Sequence, residues 1–188
     1  MRVSDDVRIV EVAHSGLTPP QLAQIDAIFL EASGRSFASA AEEAAFRERW
    51  LGRYLEGGTD IALVALDAAG AVAGYLVGAL QDPAPQERFA DLDYFRGPFR
   101  ELCRRYPVHL HVNLAPASRN RGLGARLIAA FTARATAAGA AGVHVVTARS
   151  ARNVGFYRRC GFAEVGSAQW RGRDLVFLAK SLPGGQKN

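Results

Sequence analysis

Apolar residues recur along this chain in two rhythms, and each change of rhythm marks the edge of an element. Val7 to Ala13 reads as a short strand. Thr18-Pro19 is a good N-cap followed by a proline at the first helical position, and Leu22, Ile25 and Phe29 then fall at helical spacing, which predicts a helix to about Ala32. Gly34 to Phe37 breaks it. Ser39 and Glu42 have capping-box spacing, and Phe46, Trp50, Leu51, Tyr54 and Leu55 form one face of a second helix, stopped by Gly57-Gly58. Ile61 to Leu66 and Val72 to Leu80 are strand-like runs joined by Asp67-Ala-Ala-Gly70, a hairpin signal. Residues 81 to 106 carry prolines at 83, 85 and 98, carboxylates at 82, 87, 91 and 93, and the aromatics Phe89, Tyr94, Phe95 and Phe99. The expectation there is irregular chain with one or two short helices, of a length more often functional or lid-like than idle.

From Val108 the rhythm becomes regular. Val108 to Leu114 is a strand, Leu123 to Ala138 an amphipathic helix with Gly139 as its stop, and Val143 to Thr147 the next strand. Ser150 is read as the cap of a helix to about Cys160, ended by Gly161, with Phe162–Val165 and Leu175–Ala179 completing the sheet. Strand–helix–strand order after an antiparallel meander implies a parallel crossover, so the fold class is α/β (α+β): a mixed central sheet with helices on both faces.

Composition adds bounds. At 188 residues, with 49% hydrophobic and 22% charged residues, the chain is expected to be one domain over 1–182 followed by a polar tail, 183–188. No apolar run approaches the ~20 residues that cross a bilayer. The N-terminus lacks an apolar secretion signal, so a cytoplasmic protein is expected. Cys103 and Cys160 have no metal or redox spacing and read as buried, reduced thiols. Of the 23 basic residues 21 are arginine, dispersed among carboxylates, so the net charge of +5 argues only weakly for nucleic acid. Their densest cluster surrounds one glycine-containing loop.

That loop, Pro116-Ala-Ser-Arg-Asn-Arg-Gly-Leu-Gly-Ala-Arg126, lies between the strand and the amphipathic helix. Orphan amides at a helix start, the positive end of the dipole, two glycines and Arg119 and Arg121 make a receptor for phosphate or pyrophosphate. A Walker loop needs a lysine and a hydroxyl that are absent, and a dinucleotide fingerprint needs a third glycine where Leu127 stands.

The pattern Arg119-x-x-Gly122-x-Gly124 resembles the pyrophosphate loop of the GCN5-related N-acetyltransferases, which bind acetyl-coenzyme A. A second element agrees: Asn153-Val-Gly-Phe-Tyr157-Arg-Arg-Cys-Gly161-Phe162, with the spacing N-x-x-x-Y-x-x-x-G-F, looks like one of that family's. Within the superfamily, His109 to Leu114 and Gly155 to Phe162 look most like the acetyltransferase-like domain attached to O-GlcNAc hydrolases and its free-standing bacterial relatives. The resemblance implies two parallel strands that part at the loop, with the pantetheine arm lying between them. It assigns cofactor contacts to Leu114, Arg119, Asn120, Arg121, Gly122, Leu123, Gly124 and Ala125, with the glycines there because a Cβ would obstruct the phosphates. Asn153 would hydrogen-bond the cofactor arm and Tyr157 would protonate the departing thiolate. Phe156 shares that helix and is grouped with the cofactor residues, although it and Phe162 also read as packing.

The base is open at this level. His109, His111 and Asn113 alternate on one face of a strand that should be central, which suggests that this face borders a cleft. His111 is the candidate base, since imidazole titrates near neutrality; Glu87, Asp91 and Asp93 are alternatives. The relatives are expected to carry an acidic residue where Asn113 stands, and asparagine cannot be a base. The acceptor pocket is expected among Arg35, Phe37, the 81–106 segment and Trp170-Arg171. Cys160 has nothing to support a covalent role, and His14 and His144 look structural or solvated.

The expected function is acetyl transfer from acetyl-CoA to a small-molecule or peptide amine, with no metal, nucleic acid or membrane, in a monomer or homodimer. Two rivals stand beside it. One is a non-catalytic acetyl-CoA-binding module, which an amine panel would separate. The other is a nucleic-acid-associated protein, which salt-sensitive binding not displaced by CoA would reveal.

Overall fold

The computed structural model describes residues 7–12, 16–55 and 60–183. Within them the strands form a seven-stranded mixed sheet in the order β1-β2-β3-β4-β5-β7-β6. These are β1 Arg8–Glu11, β2 Asp60–Leu66, β3 Val72–Ala79, β4 Val108–Leu114, β5 Gly142–Ala148, β6 Ala163–Trp170 and β7 Arg173–Ser181. The chain divides into two compact units, residues 1–78 with 111–131, and 79–110 with 132–188.

In the first unit β1 pairs antiparallel with β2, Arg8 opposite Leu66 through Glu11 opposite Leu63. All residues of β3 and all but the first of β2 are buried, as expected of strands covered on both faces. The β2–β3 turn is made by Asp67, whose Oδ1 accepts from the amides of Ala69 and Ala71 while Gly70 takes a left-handed φ of +81°. Helix α1, Pro19–Ser33, buries Ile25, Ile28 and Phe29 and ends at Gly34, φ +60°.

Helix α2, Ala40–Arg47, begins with Glu42 N–H donating to Ser39 Oγ at 3.2 Å; the Glu42 carboxylate reaches one residue further back than a capping box requires, to Ala38 N–H at 2.9 Å. The predicted continuous second helix is corrected: Glu48–Gly52 is a π turn, followed by a short α3, Arg53–Leu55. Leu51 and Tyr54 are both buried.

In the second unit the parallel ladder joins Val108 with Val143 and His109 with His144, and β5 and β6 both pair antiparallel with β7. Segment 81–99 is corrected from lid-like to packed: Phe89, Leu92, Tyr94, Phe95 and Phe99 are buried. Arg96 pins it by donating to the carbonyls of Ala84 and Gln86, both at 3.0 Å. It holds one 3₁₀ turn, Glu87–Phe89, and leads into α4, Arg100–Arg105. Helix α5 is Leu123–Ala137 and α6 is Asn153–Arg159.

Three boundaries differ from the sequence reading. Val12 leaves the first strand and is helical. Helix α6 starts three residues after Ser150, because backbone turns, Ala151 N–H to Ala148 O and Val154 N–H to Ala151 O, occupy its approach; Arg152 is the N-cap, without a side-chain bond. Strands β6 and β7 run longer than expected and meet in a tight hairpin with Arg171 and Gly172 at φ +47° and +74°. The expectations for Ala13, His14, Gly57-Gly58 and residues 184–188 of the tail lie outside the described residues.

Candidate active site

The β4 strand closes on β3 where Gly74 lies opposite its end. A Cβ on Gly74 would stand 2.9 Å from Asn113 O and inside contact distance of the Leu114 side chain, so only glycine lets Leu114 sit this close. Ala115 N–H then bonds Ala73 O at 3.0 Å. Pro116–Ser118 make a 3₁₀ turn, closed by Ser118 N–H to Ala115 O at 2.9 Å and Arg119 N–H to Pro116 O at 3.3 Å.

Immediately after this turn the backbone amides lose their partners. Asn120 and Gly122 both adopt left-handed φ, +60° and +78°, and among the described residues no acceptor takes the amides of residues 120 to 125; the helical bonding resumes with Arg126 N–H to Gly122 O at 3.1 Å. Alternation of left-handed residues turns successive N–H groups inward, the arrangement of an anion-binding nest, and the α5 dipole adds to it. Asparagine tolerates the left-handed region and glycine adopts it freely, and the space a Cβ on Gly122 would occupy is open to 4 Å. Leu123 and Gly124 are buried, so these residues can offer a ligand their amides but not a side chain. The Arg119 guanidinium is engaged, with Nε on Leu114 O at 3.1 Å and Nη2 on the Glu31 carboxylate. Arg121 is exposed.

His111 and Asn113, which also lie in the first unit, have different surroundings from His109. The His111 ring meets Trp50 edge-on, centroids 5.4 Å apart, and its Nε2 lies 3.2 Å from the Tyr54 hydroxyl. Burial, then the positive charge of Arg53, push its pKa down to about 4, so the ring is neutral at physiological pH. Asn113 Nδ2 donates to the Tyr75 hydroxyl at 2.8 Å. Phe37, Phe46 and Trp50 form a half-buried row, with Arg35 stacked over Phe46 at 4.8 Å and Phe37 at 5.5 Å. Trp50 and Tyr54 were legible only as packing positions; their approach to His111 brings together residues far apart in the chain. Glu31 gave no sequence signal at all.

In the second unit the expected polar face is corrected at His109. It is 2% exposed and sits among aromatic rings, Phe89 at 4.9 Å, Phe95 at 5.3 Å and His144 at 5.6 Å, so no cleft borders it. His144 is structural, with Nδ1 2.5 Å from Tyr106 O and its ring stacked on Phe177 at 4.3 Å. Of the alternative bases, Glu87 is an exposed partner of Arg96 at 3.0 Å. Asp93 accepts from the Trp170 indole at 2.5 Å and from Arg171 at 3.5 Å. Cys103 is buried while Cys160 is half-buried, a correction to the expectation of two buried thiols. Burial raises the pKa of both, so neither is activated as a thiolate.

The spacing Tyr157-x-x-x-Gly161-Phe162 has a local physical basis. Gly161, φ +86°, ends α6; Phe162 N–H bonds Tyr157 O at 3.1 Å and Gly161 N–H bonds Arg158 O at 3.0 Å. This is a Schellman termination, and the Tyr157–Phe162 ring contact at 5.7 Å is its accompanying apolar contact. The hydroxyl of Tyr157 is left over: no described residue bonds it, while burial raises its pKa and keeps it protonated. Phe156 is half-buried at 5.2 Å from the Tyr157 ring. Asn153 is exposed, and its Oδ1 accepts from Thr147 Oγ1 at 3.2 Å.

No described helix is long and apolar enough to cross a membrane. Among the described residues no group of three or more histidine, cysteine or carboxylate side chains could hold a metal ion.

A family model described as the Acetyltransferase (GNAT) domain matches residues 59–164, more than half of the chain. The fold is similar to that of a protein named SsHAT, with 22% identity and a TM-score of 0.68 over 93% of this chain and 98% of that one. It is also similar to a ribosomal-protein-alanine N-acetyltransferase from Brucella melitensis (24%, 0.62, covering 93% and 99%). A third likeness is to a phosphinothricin acetyltransferase from Sinorhizobium meliloti in complex with AcCoA (23%, 0.60, covering 94% and 88%).

Proposed function

Because this chain belongs to the GNAT acetyltransferase family, we propose that it moves an acetyl group from acetyl-coenzyme A to an amine by direct attack in a ternary complex. The observation that carries this reading is the run of six open amides, Asn120 to Ala125, at the start of α5. They suit the diphosphate of coenzyme A, with Arg121 adding charge. The pairing of β4 with β5 ends at His109, and the resemblance gives the β4 backbone beyond it, through Leu114, to the pantetheine arm. The family match runs through both compact units, so residues 1–182 are taken as one functional domain.

The chemistry asks little of the side chains. The amine nitrogen attacks the thioester carbonyl carbon, the C–S bond breaks, and the thiolate takes the Tyr157 hydroxyl proton. Phenol with a raised pKa is a weak acid, but the same apolar surroundings raise the basicity of a departing thiolate, so the transfer stays matched. The proton lost by the amine passes to His111, directly or through water. An imidazole held near pKa 4 is a weak base, so most of the acceleration is assigned to holding the reactants in attack geometry. Asn153 and Phe156 complete the cofactor contacts. The narrower likeness to the O-GlcNAc-hydrolase-linked domains belongs to this proposal too, with Asn113 as its departure.

Asn113 also favours a second reading, a module that binds acetyl-CoA without turnover, since its amide is bound to Tyr75 and Asp93 is bound to Trp170. Titration calorimetry with acetyl-CoA, followed by thiol release against a panel of amino sugars, polyamines, aminoglycosides, lysine peptides and protein N-termini, tests both. Absence of binding overturns the family function for this chain; binding without thiol release selects the module.

A further inference from the structure

Glu31 lies in the last turn of α1, where a carboxylate opposes the helix dipole and does nothing for the helix itself. Its partner is Arg119, 88 residues away and at the head of the open amides. Arg119 uses three groups in one place. Its amide closes the 3₁₀ turn on Pro116 O, its Nε bonds Leu114 O at 3.1 Å, and its Nη2 bonds the Glu31 carboxylate. The side chain thus ties together the end of β4, the turn and α1, and the first open amide is that of the next residue, Asn120.

We propose that Glu31 is a positioning residue of the cofactor loop: by holding the Arg119 guanidinium on Leu114 O, it fixes the turn from which the amides of residues 120 to 125 are aimed. Arg119 is then a brace, not a phosphate ligand. This rests on the acetyl-CoA reading above. Both side chains are partly exposed, at 39% and 47%, so the pair adds little to global stability, and its effect lies in geometry.

The sign of one measurement decides the matter. Glu31→Gln removes a negative charge and frees an arginine beside the loop, so simple electrostatics predicts tighter binding of an anionic ligand. The brace predicts the opposite, a loss of about fivefold in coenzyme A affinity, because a charge-assisted contact that orders the loop is gone. Calorimetry with coenzyme A on wild type, Glu31→Gln, Arg119→Lys and the charge-matched control Glu101→Gln makes the comparison; Glu101 and Arg104 are an exposed pair on α4, in the other unit. Expected are weaker binding for the first two variants, wild-type affinity for the control, and melting temperatures within about 2 °C of wild type for all. A Glu31→Gln protein that binds coenzyme A as tightly as wild type, or more tightly, overturns the brace. Wild-type protein that binds no coenzyme A overturns the function itself, a different result from the same titration.

Discussion

Gly122 can be replaced in a way that separates backbone conformation from space. Its φ of +78° costs an ordinary L-residue about 1–2 kcal/mol, while asparagine adopts the left-handed region with little strain, as Asn120 does at +60° two residues earlier. No heavy atom stands within 4 Å of the position a Cβ would take, so Ala does not clash in the ligand-free protein and the Asn side chain starts into open space. Gly122→Ala should therefore lower the melting temperature by about 2–6 °C, whereas Gly122→Asn should leave it near wild type. If the open side is where the diphosphate sits, both bind coenzyme A more weakly. Losing one or two amide bonds to a charged group, at about 1.5–3 kcal/mol each, weakens binding by roughly 10-fold to more than 1,000-fold. Calorimetry and thermal melts on the same preparations give both numbers. A Gly122→Asn protein that melts like wild type and binds coenzyme A within threefold of it would refute the reasoning, because glycine would then serve the turn alone.

Tyr157→Phe keeps the Schellman packing and removes only the hydroxyl, so melting and coenzyme A affinity should hold while turnover falls by about 10²-fold; unchanged turnover removes the acid. Gly161→Ala, at φ +86°, should cost about 1–2 kcal/mol and lower the melting temperature, and a neutral result would contradict the helix-stop assignment. His111 has a folded pKa of about 4 against 6.5 when unfolded, so the unfolded chain binds the extra proton between those values. Stability is then lost as pH falls from 6.5 to 4, by roughly 1–2 kcal/mol after allowing for the ring's partial exposure. Denaturant titration of wild type and His111→Gln across that window should show the slope shrink in the variant. If His111 is the base, the acid limb of the rate profile falls near pH 4, and a limb at 6.5 would exclude it in this environment.

Much of the architecture was legible because it rests on local chemistry. The hairpin at Asp67–Gly70, the α1 start at Thr18-Pro19, and the glycine stops at Gly34, Gly139 and Gly161 are all written in short-range rules. The errors share one cause, competition from groups distant in sequence or from the backbone. Ser150 had a capping side chain, but consecutive backbone turns delayed the helix to Asn153. His109 had the alternation of a cleft face, but rings from Phe89, Phe95 and His144 enclose it.

The open amides at the start of α5 were readable from sequence alone, since a helix start leaves its first N–H groups without intrahelical partners. What tertiary structure alone decided was the state of each side chain around them. The neutral His111, set against Trp50 and Tyr54, and the Arg119 guanidinium, held on the Glu31 carboxylate of α1, follow from burial and from groups brought together over long separations. Periodicity carries no record of such meetings, because pKa and ion pairing belong to an environment and not to a residue type.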